Sequence, residues 1–102
     1  MSVVLVATII PIPEHRAEVI AAFEEVIPLV HAEDGCELYA LHEGEDRLVM
    51  IEKWADQEAL GVHGTSPNLA KLNESLKGKV TGRPDLQVLR QHPAGTGGQG
   101  AL

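Results

Sequence analysis

Val3 to Ile10 reads VVLVATII, apolar at nearly every position and rich in β-branched residues, the pattern of a strand buried on both faces. Pro11 and Pro13 end it. Pro13 with Glu14 suits the first turn of a helix, where a missing N–H costs nothing. Val19, Ile20, Phe23, Val26, Ile27 and Val30 then recur at three- and four-residue spacing, with Glu18, Glu24 and Glu25 largely on the other side, which predicts an amphipathic helix. Pro28 removes a backbone hydrogen bond and is expected to bend or end that helix, and Asp34-Gly35 supplies the turn. Cys36 to Glu43 (CELYALHE) alternates loosely and reads as strand 2; Leu48 to Trp54 (LVMIEKW) reads as strand 3, with the polar hairpin connection Gly44-Glu45-Asp46-Arg47 between them. Asp56-Gln57-Glu58 begins a short helix that Gly61 and Gly64 are expected to interrupt, and Ser66-Pro67 restarts it with serine as N-cap and proline at the first helical position. Leu69, Leu72 and Leu76 give this second piece its apolar stripe, and Asp85 to Gln91 reads as strand 4.

The order is β-α-β-β-α-β, the ferredoxin-like α+β arrangement in which an antiparallel four-stranded sheet carries its helices on one face. Strand 1 nonetheless presents Val4, Val6 and Ile10 on one side and Val3, Leu5, Ala7 and Ile9 on the other, while strand 3 separates Val49 and Ile51 from Leu48 and Met50. The face without helices is therefore apolar, and a second copy of the chain is its simplest cover. Two such sheets packed face to face would form a dimeric α+β barrel. The expected organisation is one domain over residues 1–92 and a flexible tail over 93–102, which holds four of the ten glycines and almost nothing that could pack.

Composition narrows the function. Eight basic against fifteen acidic side chains give a formal charge of −7, the wrong sign for binding nucleic acid or an anionic membrane. No apolar run approaches a membrane span and no secretory pattern precedes strand 1, so a cytoplasmic protein is expected. The lone Cys36 cannot form an internal disulfide, which agrees with a reducing compartment. Dinucleotide fingerprint, P-loop and metal-spaced histidine and carboxylate sets are all missing from the sequence, so no cofactor and no metal is expected.

Three segments carry a resemblance: Glu33-Asp34-Gly35-Cys36-Glu37-Leu38-Tyr39, Leu48-Val49-Met50-Ile51-Glu52-Lys53-Trp54, and His63-Gly64-Thr65-Ser66-Pro67. In this order, and on this plan of strands and helices, they resemble the antibiotic biosynthesis monooxygenase family, and within it the small quinol monooxygenases, over roughly residues 3–91. The resemblance implies a homodimer that oxidises an electron-rich aromatic substrate, such as a hydroquinone or an anthrone, with molecular oxygen and without metal or flavin. Such a reaction is physically reasonable, because an ionised phenol is itself the reductant and the protein need supply only a dry pocket, a base and donors for the developing peroxide.

Glu52 and Trp54 sit two apart on strand 3 and share one face with Leu48 and Met50, which by the resemblance looks toward the helices. His63, nine positions beyond Trp54, is the candidate base, and Trp54 the candidate aromatic wall and N–H donor. A carbonyl-bonded helix-end histidine and a core tryptophan are the structural alternatives. Glu52 in an apolar strand needs a partner; it would orient His63, bind substrate hydroxyls, or pair with Arg47, Lys71 or an arginine near the C-terminus. Tyr39 and Ser66 complete the candidate substrate contacts. Tyr39 joins the Trp54 face in one hairpin register and leaves it in the register shifted by one, and His42 takes the opposite parity. His15, His31 and His92 read as solvated, and Cys36 as a small filler. The rival functions on this fold are haem degradation, for which relatives use an asparagine on strand 1 where this chain has Ala7 and Thr8, an isomerase, and a non-catalytic ligand-binding dimer.

Overall fold

The computed structural model describes residues 2–102. β1 (Val3–Ile9) leads through a 3₁₀ turn (Pro13–His15) into α1 (Arg16–His31); β2 (Cys36–Glu43), β3 (Leu48–Trp54), α2 (Gln57–Gly64), α3 (Pro67–Leu76) and β4 (Asp85–Arg90) follow. The strands make one antiparallel sheet in the order β2-β3-β1-β4, which is the ferredoxin-like α+β fold that the hydrophobic pattern predicts. No helix among the described residues is long and apolar enough to cross a membrane.

Of the two outcomes expected at Pro28, an end of the helix is not found, and the interruption expected at Gly61 is not found either. Pro28 lies inside α1, which continues to His31. The proline is exposed, so the carbonyl that loses its partner can be hydrated, and the buried stripe of Val19, Phe23, Val26 and Val30 holds the last turn in place. Gly61 likewise does not interrupt α2, whose start is fixed by the Asp56 side chain accepting from the Ala59 N–H at 2.8 Å. α3 starts where expected, with Ser66 as its N-cap.

Alternation sorts the sheet. Leu5, Ala7 and Ile9 of β1 and Leu48, Met50, Glu52 and Trp54 of β3 are buried against α1 and against Leu72 and Leu76 of α3. On the opposite face, Val6, Thr8, Leu38, Ala40, Val49 and Ile51 stay partly exposed. All of β4 is exposed, Leu86, Val88 and Leu89 included, so the helix layer stops short of this edge. Residues 93–102 form neither helix nor strand; Leu102 donates its N–H to the Gln91 side chain at 2.8 Å and accepts from Lys53 Nζ at 2.9 Å.

The β2–β3 register holds an irregularity with a functional consequence. Cys36 pairs with Trp54 but Leu38 with Lys53, so an extra residue at Glu37 shifts the parity of the strand. Tyr39 then lies opposite Glu52 and is buried on the helix face, whereas His42 lies opposite Val49 and is exposed.

Candidate functional site

The helix face of the sheet does not fill completely. Ala7 on β1 and Gly64 at the end of α2 are too small to reach the side chains opposite, and a cavity of about 280 Å³ remains between the sheet, α2 and α3. That volume lies at the lower end of the roughly 300–1,000 Å³ range of small-molecule sites. Its wall is mostly aliphatic, and its polar members are Tyr39, Glu52, His63 and Asn73. Leu69, Leu72, Asn73 and Leu76 reach it from one face of α3, and it extends to the exposed Pro84 and Leu86 at the uncovered β4 edge.

At the polar end, β3 and α2 bring three side chains into direct contact. Trp54 is fully buried and donates its indole N–H to Glu52 Oε1 at 2.9 Å. His63, in the last turn of α2, stacks on Trp54 with ring centroids 4.5 Å apart and planes inclined by 29°, and meets Tyr39 edge-on at 5.5 Å. His63 Nδ1 lies 3.0 Å from Glu33 Oε1, while Nε2 lies 3.9 Å from Glu52 Oε1, beyond hydrogen-bond range. The other Glu33 oxygen accepts from Asn68 Nδ2 at 2.9 Å, and Asn68 also donates to the Leu29 carbonyl at 3.3 Å.

Local sequence explains why Glu33 reaches His63. Gly35 adopts a left-handed conformation, φ 81°, and a Cβ added there would stand 2.5 Å from the Ala59 Cβ. Only glycine lets α2 approach the turn so closely. Ala59 and His63 are four residues apart and so share a helix face, and that close approach carries His63 to the carboxylate two residues before the glycine.

The sequence candidates therefore separate by position. His63, Glu52 and Tyr39 line the cavity. Trp54 is not among the lining residues: it lies behind His63, and its N–H is taken by Glu52, so it supports the wall from beneath. Ser66 does not line the cavity either; its hydroxyl accepts from the Leu69 N–H at 3.2 Å as the cap of α3. Among the described residues Glu52 pairs with none of the cations named for it: Arg47 pairs with Asp46, Lys71 with Glu25, and no arginine near the C-terminus reaches it; its neighbours are Trp54 and His63. Glu33, Asn68 and Asn73 also belong to the site, although none of them carries a signal of its own in the sequence. A glutamate beside an Asp-Gly turn and an asparagine in the first turn of a helix look like solvated surface, and only the close approach at Gly35 reveals the first of them.

Burial pushes the Glu52 carboxyl above its ordinary range, with the Trp54 N–H and His63 pulling it partly back. A raised folded-state value means the contribution of Glu52 to stability is fully present below the ordinary carboxylate range and is lost as pH rises from there through the raised value. Glu52→Gln, neutral throughout, is therefore expected to show a higher urea midpoint than the parent at neutral pH, with the gap closing below the carboxylate range. A gap independent of pH would contradict this. Burial, reinforced by Glu52 and Glu33, also raises the Tyr39 phenol, which stays a proton donor. The Cys36 thiol is raised by burial and the same two carboxylates, the opposite of what a nucleophile needs.

Residues 2–75 match the family described as "Antibiotic biosynthesis monooxygenase", a span that ends within α3 and includes the whole polar cluster. Among similar proteins, "Putative monooxygenase Rv0793" of Mycobacterium tuberculosis is 32% identical over 84 residues, covering 80% of this chain and 82% of that one. "Probable quinol monooxygenase YgiN" of Escherichia coli is 31% identical over 81 residues, covering 69% and 78%. The solved structure of Rv0793 superposes with a TM-score of 0.85 at 26% identity, over 94% of this chain and 100% of that one. A conserved protein of Methanosarcina mazei superposes with a TM-score of 0.84 over 90% and 94%, and at 21% identity shares the fold. On the family match and the two sequence relatives together, this chain belongs to the antibiotic biosynthesis monooxygenase family.

Proposed function

We propose that this protein is a cofactor-independent monooxygenase that oxidises a quinol- or anthrone-like aromatic substrate with molecular oxygen, acting as a homodimer. One observation carries the reading: an apolar cavity whose polar end presents an imidazole, a protonated phenol and a buried carboxyl group to the same space. The aliphatic wall takes the aromatic rings. His63 takes the acidic proton of the substrate, and the resulting anion is the electron donor to oxygen. Tyr39 donates a hydrogen bond to the oxyanion or to the peroxide that forms from it, in surroundings dry enough to make that bond count. The substrate supplies all the electrons; one oxygen atom enters the product and the other leaves as water. The asparagine that haem degradation would call for on strand 1 has no counterpart here, because Ala7 occupies that part of the wall.

An oxygen-electrode screen of reduced naphthoquinones and anthrones, using chelator-treated and flavin-free protein, tests the reading. Uptake well above the buffer rate is expected for some member of the panel. Buffer-level rates throughout would sink it.

Pairing is supported by the apolar back of the sheet, where Val6, Val49 and Ile51 remain partly exposed, and by the bare β4 edge. Covering such a face is within reach of an ordinary stable interface of about 1,600 Å² in total. Sedimentation at micromolar concentration is expected to give twice the chain mass. A folded species of single-chain mass would rule pairing out.

A further inference from the structure

We propose that Glu33, held in place by Asn68, is a positioning residue that fixes which nitrogen of His63 acts as the base. The proposal deepens the monooxygenase reading and rests on it only for the identity of the proton removed. Three elements converge to make the arrangement: His63 comes from α2, Glu33 from the turn after α1, and Asn68 from the first turn of α3. The Glu33 side chain is 15% exposed and engaged at both oxygens, so it is not a solvated surface charge. Asn68 donates to Glu33 and to the Leu29 carbonyl with the same nitrogen, which ties the carboxylate to the end of α1 and limits its rotation.

The tautomer follows from donor and acceptor inventory. A carboxylate only accepts, so Nδ1, 3.0 Å from Glu33, carries the hydrogen. Nε2 is left with its lone pair on the side of the cavity that holds Glu52, too far from that carboxyl for a hydrogen bond. The substrate hydroxyl loses its proton to Nε2: the O–H bond breaks, its electron pair stays on oxygen, and an N–H bond forms. The groups facing the imidazole are Glu33 from the turn, Tyr39 from β2, and Glu52 and Trp54 from β3, none of them cationic. The imidazolium formed by the transfer thus has a carboxylate on Nδ1 and a second carboxyl group facing Nε2, which favours the charge that the step creates.

The test reads the tautomer directly and needs no substrate. Long-range ¹H–¹⁵N correlation on histidine-labelled protein, with His63→Gln used to identify the His63 signals among the five histidines, is expected to give a neutral Nδ1–H ring. Glu33→Ala is expected to move it toward the Nε2–H form that imidazoles favour in water, and Asn68→Ala to do so in part. In turnover, Glu33→Ala is expected to lower kcat about 100-fold with KM little changed. An Nε2–H ring in the parent protein, or a tautomer indifferent to Glu33→Ala, would overturn the proposal. A tautomer that responds to Glu33 in a protein oxidising no quinol supports this placement and removes only the substrate reading.

Discussion

His63→Ala is expected to reduce turnover of an active quinol or anthrone by about 10²- to 10⁴-fold, the usual contribution of a positioned general base. The expectation follows from where the imidazole stands. It is the one imidazole on the cavity wall, and it is oriented from three sides by Glu33, Trp54 and Tyr39. Removing it leaves intact the aliphatic wall proposed to hold the rings, so the loss should fall on kcat more than on KM. The truncation opens space at the ring's own position, and added imidazole is expected to restore part of the rate. A purely structural histidine would give neither the kcat-weighted loss nor the rescue, and turnover within threefold of the parent would remove His63 from the chemistry.

The largest effect on stability is expected at Trp54. Its side chain is fully buried, stacked on His63 and bonded to Glu52, so Trp54→Ala combines a core void with an orphaned buried carboxyl group. Aromatic-to-alanine changes in a core cost about 3–5 kcal/mol. A domain of this size has only about 5–15 kcal/mol to lose, so the variant should unfold at far lower urea or not fold at all. Trp54→Phe separates the two causes. It keeps most of the packing and removes the N–H, so a smaller loss that grows as pH rises above the carboxylate range is expected, because ionising Glu52 then lacks its donor. A loss under about 1 kcal/mol in the alanine variant would be far below core values and would contradict this account of Trp54.

Much of the fold is legible in the sequence because its signals are local. The unbroken β-branched run of β1, the three- and four-residue spacing from Val19 to Val30, and the Ser66-Pro67 start of α3 each state their element with neighbouring residues alone. What is not legible depends on partners far along the chain. Pro28 and Gly61 would stop an isolated helix, but packing of the buried stripe on α1 and the Asp56 cap on α2 outweigh the local preference. Tyr39 could not be assigned a face, because the extra residue at Glu37 shifts the strand's parity and a bulge leaves no mark in an alternation that is already loose. His63, Glu52 and Trp54 were visible as residue types that need explaining in apolar surroundings. Glu33 was not, since a carboxylate beside a turn needs no explanation until Gly35 is seen to let α2 close upon it.

Reaction under ¹⁸O-labelled dioxygen, followed by mass spectrometry of the product, addresses the cavity's chemistry most directly. A monooxygenase working through an anion generated by His63 should place one labelled atom in the product, at a rate that collapses in His63→Ala. Product lacking the label, or conversion proceeding as fast without oxygen, would contradict that chemistry.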